Sequence, residues 1–170
     1  MQFNFSFYIC NELTFKIEII MLTIGTQAPK FTIKDHNGND FNFPVAGKRN
    51  ILFFYPKDNT PGCTAEACSF RDGYEDFVKM GIEVIGISVD NQKSHLKFID
   101  NQNLPYTLLS DTEKEVVKLY EVWGKKKFMG REYEGTFRVT FVVDAEGMIE
   151  HIIEKVDTKN AANQIMELVK

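Results

Sequence analysis

The sequence has little cysteine and no long hydrophobic segment, and both absences narrow the class of protein. Three cysteines in 170 residues are too few for a disulfide scaffold, and the odd number favours free thiols in a reducing compartment such as the cytoplasm. No segment approaches the roughly 18 consecutive apolar residues of a transmembrane helix, so we expect no membrane span. Repeats, low-complexity tracts and linkers are also missing, which leaves one domain of ordinary size.

Basic side chains are not in excess either. Twenty lysines and arginines against 24 aspartates and glutamates give a net charge of −4. Because nucleic acids and anionic membranes are bound mainly by surplus positive charge, we expect neither as a partner. The three histidines are scattered and no cysteine pair has metal-ligand spacing, so we expect no metal site and no cofactor. A globular composition remains, typical of an enzyme or a binding module.

The first 20 residues differ in pattern from the rest. Their aromatic residues alternate with polar ones, as in a strand, and charged residues interrupt any apolar segment that a signal peptide would need. Met21 then opens a segment that can itself begin a domain. We expect residues 1–20 to be an extension outside the functional protein, although an additional hairpin fits the same pattern. Residues 21–170 then form the domain, and Cys10 has no chemical role.

From residue 21 onward, short strands alternate with helical segments. The pattern predicts strands at 31–34, 40–43, 51–55, 82–89, 106–109, 138–143 and 148–153, and helices at 61–80, 90–101, 110–120 and from 157 or 158 to the end. Capping signals set two helix starts, with Asp90 as one cap and Ser110 with Glu113 as a capping box. In the helix at 90–101, Leu96 and Ile99 are expected to face inward. This order predicts an α/β protein with a thioredoxin-like fold, in which a central mixed sheet carries helices on both faces.

The segment from Thr60 to Cys68 carries the most specific chemical signal. Thr60 followed by Pro61 marks a helix start, because a hydroxyl caps the first turn and proline at the first position loses no hydrogen bond. Cys63 therefore falls at about the third helical position. There the free backbone N–H groups and the positive end of the helix dipole stabilise a thiolate, the reactive form of cysteine. Cys63 is the candidate reactive residue.

A second cysteine follows five residues later, on another face of the same helix. Cys63 shares an apolar stripe with Ala67 and Phe70, whereas Cys68 lies about 140° further round, beside Arg71. In an intact helix the two cysteine Cα atoms are about 8.6 Å apart. A disulfide needs less than about 7 Å. A bond between Cys63 and Cys68 therefore requires the first turns of the helix to unwind.

Several segments together resemble one enzyme family. Pro56-x-x-x-Thr60-x-x-Cys63 resembles the active-site signature of the peroxiredoxins. The longer segment YPKDNTPGCTAEACSFRD, with VWGKKKFMG at 122–130 and RVTFVVD at 138–144, is similar to the peroxiredoxin Q, or bacterioferritin comigratory protein, subfamily. The resemblance extends over about residues 21–170 and does not include the first 20.

The resemblance implies a role for five residues. Cys63 would be the peroxidatic thiolate, which attacks the terminal peroxide oxygen and becomes a sulfenic acid. Thr60 would hold the thiolate and the peroxide with its hydroxyl, Pro56 would shield the pocket from water, and Arg138 would stabilise the charge on sulfur and peroxide oxygen. Cys68 would be the resolving cysteine, forming an intramolecular disulfide with Cys63.

The resemblance also implies a reaction and its partners. The protein would reduce hydrogen peroxide and organic hydroperoxides to water and alcohols, and thioredoxin would recycle it, with glutaredoxin or a small thiol as alternative reductants. A monomer is expected, with a dimer as the alternative. The rival hypothesis is a redox-switch binding or chaperone-like module on the same fold, in which Cys63 is oxidised without turnover.

Other cysteine chemistries fit the spacing poorly. Cys63 and Cys68 do not form the Cys-x-x-Cys motif of disulfide oxidoreductases. A Cys-x5-Arg phosphatase loop would need arginine at position 69, where serine stands. His36, His95 and His151 fall in a turn, a polar helix and a strand, so we interpret each as a solvated or packing residue and not as the base of a hydrolase.

Overall fold

The structure is a computed structural model that describes residues 22–170. The expected extension at 1–20, with Cys10, lies outside the described residues. The strands are β1 (Phe31–Lys34), β2 (Asp40–Phe43), β3 (Arg49–Phe54), β4 (Ile82–Ser88), β5 (Thr107–Ser110), β6 (Trp123–Phe128), β7 (Arg131–Thr136), β8 (Val139–Val143) and β9 (Ile149–Ile153). The helices are α1 (Pro61–Asp72), α2 (Tyr74–Lys79), α3 (Gln92–Gln102), α4 (Glu115–Leu119) and α5 (Ala161–Val169).

Five strands form a central mixed sheet in the order β5-β4-β3-β8-β9. The β3–β4 and β4–β5 pairs are parallel, whereas β3–β8 and β8–β9 are antiparallel. The strands β1 and β2 pair as a separate hairpin, and so do β6 and β7. The prediction of a mixed sheet is confirmed, but the sequence pattern did not predict the β6–β7 hairpin.

The side chains of β3 divide the core between the two faces of the sheet. Ile51 and Phe53 point to one face, where they pack with residues of α1, α2, α3 and α5. Leu52 and Phe54 point to the other, where they pack with α4 and the β1–β2 hairpin. Helices therefore cover both faces, as predicted. Among residues 22–170 no helix is long and apolar enough to span a membrane.

The single helix predicted at 61–80 is wrong, because the chain breaks it at Gly73. A Cβ atom on Gly73 would lie 2.9 Å from the Cβ of Ala162 in α5, so the glycine lets α5 pack closely at this point. Glycine also has a low helix propensity. The resulting α1 and α2 pack on the same face of the sheet, and α1 contains Cys63 and Cys68.

Three predicted helix starts were also displaced. Asn91, not Asp90, caps α3 by accepting a hydrogen bond from the Ser94 N–H (3.0 Å). Asp111, and not the expected Ser110–Glu113 capping box, holds the start of α4 through two backbone N–H groups, at 3.0 and 2.8 Å. The last helix begins at Ala161, later than expected.

The inward face of α3 also differs from the prediction. Leu96 is 42% exposed, whereas His95 and Phe98 are fully buried. Ile99, the other residue expected to face inward, packs against the core and is partly buried. The helix therefore presents a polar side chain, His95, to the interior.

Candidate active site

The loop between β3 and α1 presents the predicted reactive cysteine at the carboxyl end of the parallel strands. Helix α1 starts at Pro61, so Cys63 is its third residue, as predicted. Its side chain is only 2% exposed, and it lies in the core cluster with Ala67 and Phe70 on the same helix. Cys63 therefore lies in the first helical turn, where the backbone N–H groups have no partner within the helix.

Thr60 caps the helix through its backbone only. Its hydroxyl was expected to cap α1 but instead donates a hydrogen bond to the Lys57 carbonyl in the loop (2.9 Å). The Thr60 carbonyl accepts from the Thr64 N–H (2.8 Å), the first turn of the helix. Pro56 is half-buried at the start of the same loop. The hydrogen bond to Lys57 therefore fixes the Thr60 hydroxyl, whose oxygen can still accept a hydrogen bond.

Arg138 reaches the sulfur from the strand that neighbours β3 in the sheet. It directly precedes β8, which pairs with β3 so that Val139 lies opposite Phe54, at the end of the strand that leads to the site. Its Nη2 donates to the Cys63 Sγ at 3.3 Å. Burial lowers the pKa of Arg138, but Glu66 and Cys63 outweigh that effect and raise it overall. The guanidinium therefore stays charged beside the sulfur.

Glu66 is part of this site, and the sequence analysis missed it. It is fully buried, one turn after Cys63 on α1, and its Oε2 accepts a hydrogen bond from Arg138 Nη1. Burial raises the pKa of Glu66 to about 7, although the nearby Arg138 lowers it in part. Its Oε1 has no hydrogen-bond partner within residues 22–170. The signal in the sequence that could have revealed Glu66 was an acidic residue three positions after the reactive cysteine, next to the apolar stripe of the same helix.

A buried polar network anchors the β3–α1 loop at Asp58. One carboxylate oxygen of Asp58 accepts from the Tyr55 hydroxyl (2.7 Å). The other accepts from the Ser94 hydroxyl (2.7 Å) and lies 2.9 Å from His95 Nδ1. His95 Nε2 in turn donates to the Leu109 carbonyl (3.0 Å). His95 was interpreted as a solvated or packing residue. It is instead a buried member of this network, and its two ring nitrogens join the loop to α3 and β5.

Further hydrogen bonds hold the backbone of Asp58 and the side chain of Asn59. The backbone N–H of Asp58 donates to Asp90 (2.9 Å), which explains why Asp90 does not cap α3. Asn59 adopts a left-handed backbone conformation with φ of 56°, and its side-chain oxygen accepts from Asn101 (3.2 Å). A non-glycine residue in this conformation needs such support from its surroundings. The loop thus delivers Thr60 and the first turn of α1 in one fixed geometry.

Cys68 lies outside the core, as predicted from the helical angle. Its side chain is partly buried, and its thiol donates to Gln102 Oε1 at 3.5 Å. Both Cys63 and Cys68 are free thiols on one continuous helix. The structure therefore shows the reduced arrangement, in which the helix keeps the two sulfurs apart.

A cavity of about 470 Å³ adjoins Arg138 on the outer side of the site. Beside Arg138, its lining consists of the apolar side chains of Phe137 and Val139 and the charged side chains of Lys126, Glu121 and Glu154. Lys126 donates to the Thr136 carbonyl (2.9 Å), and its pKa is lowered first by burial and then by Arg138. An apolar wall beside a cation can accept a small molecule with an organic tail. The described residues contain no cluster of candidate metal ligands.

Comparison with known proteins identifies the family. The model of the AhpC/TSA family matches residues 24–152. Peroxiredoxin Bcp of Escherichia coli is 39% identical over 150 residues, covering 88% of this chain and 96% of the relative. This chain belongs to the AhpC/TSA family, among the Bcp peroxiredoxins. Peroxiredoxin Bcp of Bacillus subtilis is 40% identical with the same coverage of both chains.

Solved structures agree with this assignment. The bacterioferritin comigratory protein of Xanthomonas campestris superposes with a TM-score of 0.75 at 29% identity, covering 81% of this chain and 88% of that one. The predicted thioredoxin-like fold and the resemblance to peroxiredoxin Q are thus confirmed. Membership of the family makes the protein a thiol peroxidase, an oxidoreductase that uses a peroxide substrate and a thioredoxin-type reductant.

Proposed function

We propose that the protein reduces hydrogen peroxide and organic hydroperoxides through a cycle on Cys63 and Cys68, with thioredoxin as the reductant. The observation that carries the proposal is the contact between Cys63 and Arg138 (3.3 Å) at the start of a helix. A buried sulfur next to a fixed cation and helix N–H groups is stabilised as the thiolate nucleophile.

In the first step the Cys63 thiolate attacks the terminal oxygen of the peroxide. The O–O bond breaks, the sulfur becomes a sulfenic acid, and the alkoxide or hydroxide leaves with a proton as alcohol or water. Arg138 stabilises the charge that develops on the leaving oxygen, and Thr60 holds the peroxide with its hydroxyl. Pro56 shields the pocket from water.

In the second step Cys68 resolves the sulfenic acid. Its thiol attacks the Cys63 sulfur, an S–S bond forms, and the hydroxyl group leaves as water. Helix geometry requires α1 to unwind before the sulfurs meet. In the third step a thioredoxin dithiol reduces the disulfide and is itself oxidised, which returns both cysteines as thiols.

Two observations support organic hydroperoxides as substrates. The cavity beside Arg138 has apolar walls from Phe137 and Val139. The related Xanthomonas campestris protein is described by its alkyl peroxide reduction activity.

The proposal places the protein in the cytoplasm, because the cycle needs a reducing compartment to supply thiols. It also takes the protein to be a monomer. It further takes residues 21–170 as sufficient, because every site residue and the family match fall within them.

The test is a peroxide-consumption assay with thioredoxin, thioredoxin reductase and NADPH. Wild-type protein should turn over, whereas Cys63→Ser should lose all activity. Cys68→Ser should consume one equivalent of peroxide to form the Cys63 sulfenic acid and then only the peroxide that over-oxidises it to sulfinic acid, with no thioredoxin-driven turnover, because thioredoxin has no disulfide to reduce. The matched control is Cys10→Ser, which should cycle normally.

Two outcomes would contradict the proposed cycle. Normal cycling in Cys68→Ser would transfer the resolving role to another thiol. Oxidation of Cys63 in the wild type without turnover would favour the redox-switch module instead.

A further inference from the structure

The end of α3 and the residue just before β5 hold the middle of α1 through three hydrogen bonds. The Tyr106 hydroxyl donates to the Ala67 carbonyl (2.7 Å). Gln102 accepts twice, from the Cys68 thiol at its side chain (3.5 Å) and from Arg71 Nη1 at its backbone carbonyl (2.8 Å). We refer to Gln102 and Tyr106 as the α1 clamp. Its contacts fall on the part of the helix that follows Cys63.

The Tyr106 hydroxyl is committed to this bond. The side chain is 5% exposed, and its ring packs edge-on against Phe53 (centroids 5.8 Å apart) and beside Tyr74 (5.9 Å). Burial, followed by the nearby Glu66, raises its pKa well above the ordinary value, so the hydroxyl remains a donor. A buried hydroxyl that loses its only acceptor is costly. Any movement of the Ala67 carbonyl away from Tyr106 therefore carries a penalty.

The Ala67 carbonyl lies between the two cysteines in sequence. When α1 unwinds so that Cys68 can reach Cys63, the backbone at Ala67 must leave its helical position, and Cys68 must leave Gln102. The Tyr106–Ala67 and Cys68–Gln102 hydrogen bonds are therefore present in the closed helix and absent in the unwound one. Interactions of this kind slow an opening step, because they stabilise only its starting state.

We propose that Tyr106 and Gln102 are positioning residues that set the rate at which α1 unwinds and Cys68 resolves the Cys63 sulfenic acid. This inference rests on the proposed function for its chemical consequence. The Cys63 sulfenic acid has two fates. Attack by the Cys68 thiol gives the disulfide and water, whereas attack on a second peroxide gives a sulfinic acid and an alcohol, or water. The clamp thus determines the share of each product at high peroxide.

The first test measures the clamp without any oxidation. Amide hydrogen exchange of the reduced protein should show faster exchange across residues 64–68 in Tyr106→Phe than in wild type, by about two- to tenfold, which is the effect of one net hydrogen bond. The matched control is Tyr120→Phe. Tyr120 is equally buried and its hydroxyl also donates to a carbonyl, that of Pro29 (2.8 Å), but it lies on the other face of the sheet.

A second variant covers the case in which Tyr106→Phe is poorly folded. Gln102→Ala removes the side-chain acceptor of Cys68 and keeps the backbone carbonyl that binds Arg71. Alkylation of Cys68 in the reduced protein should be faster in this variant, while alkylation of Cys63 should stay unchanged. The proposed clamp would be wrong if amides 64–68 exchanged at the same rate in Tyr106→Phe and Tyr120→Phe. It would also be wrong if Cys68 were alkylated at the same rate in Gln102→Ala and wild type.

The last test measures the consequence in a single turnover. After one equivalent of peroxide, Tyr106→Phe should form the Cys63–Cys68 disulfide about two- to tenfold faster than wild type, with an unchanged rate of sulfenic acid formation. With excess peroxide it should accumulate less sulfinic acid. Faster exchange with an unchanged resolution rate would overturn the proposal. If the disulfide forms in no variant while exchange still accelerates, the proposed cycle fails and the clamp itself is supported.

Discussion

Replacing Glu66 by glutamine should change how the stability of the protein depends on pH. The folded protein raises the pKa of Glu66 from 4.5 to about 7, because the carboxyl is buried. Between these two values the unfolded chain loses the proton while the folded protein keeps it. For an acid with a raised pKa, folding stability is therefore lost as the pH rises through this range.

The size of the effect follows from the pKa difference. Each unit corresponds to about 1.4 kcal/mol, so full ionisation of Glu66 costs about 3 kcal/mol, most of which appears between pH 5 and pH 8. Glutamine has nearly the same shape and does not titrate. Relative to wild type, Glu66→Gln should therefore gain about 2–3 kcal/mol in free energy of unfolding over this interval.

The assay is urea denaturation of the reduced protein at several pH values, with the free energy of unfolding extrapolated to water. Glu75→Gln is the matched control, since it removes an exposed carboxyl from α2 and should keep the wild-type pH profile. Parallel profiles for wild type and Glu66→Gln would refute the reasoning. They would mean that pairing with Arg138 fully offsets the burial of the carboxyl.

Three further predictions concern the site and its support. Arg138→Ala should slow the reaction with peroxide by about 10²–10³-fold in stopped-flow measurements, as for the loss of one stabilising donor, and an unchanged rate would show that the helix start alone suffices. Gly73→Ala should destabilise the protein by about 1–3 kcal/mol in chemical denaturation, and Ala162→Gly should recover part of that loss; additive effects would contradict the contact. Asp58→Asn should cost about 1–3 kcal/mol, because one amide oxygen cannot accept from all the buried donors that the two oxygens of Asp58 serve, and a stability near wild type would show that the network is not an anchor.

The position of Cys63 was predictable because local rules determine it. A threonine followed by proline fixes the helix start, and counting from there places the cysteine in the first turn. The helical angle likewise placed Cys68 away from the core. These arguments need only neighbours in sequence, and the structure confirms both positions.

Residues that act through distant partners were harder to predict. Arg138 is 75 positions from Cys63 and meets it only because β8 pairs with β3, so sequence spacing alone did not select it. The resemblance to peroxiredoxins supplied that residue. Glu66 was missed, and the buried network of His95 was not predicted, because a buried charged or polar side chain interrupts the apolar pattern that reveals a core face.

The predicted helix boundaries were wrong for two different reasons, one distant in sequence and one local. The break at Gly73 depends on how closely α5 packs, and the start of α4 depends on Asp111, whose carboxylate reaches forward to two N–H groups. The β6–β7 hairpin carries charged residues on mostly exposed strands, so it lacks the alternation of a half-buried strand.

The central claim is that Cys63 is the sulfur that peroxide oxidises first, and one measurement tests it directly. Cys68→Ser protein, treated with one equivalent of peroxide, should gain the mass of a single oxygen atom, and peptide mapping should place that oxygen on Cys63. Cys63→Ser treated in the same way should gain none. Oxygen on another residue, or equal oxidation of the two variants, would contradict the account.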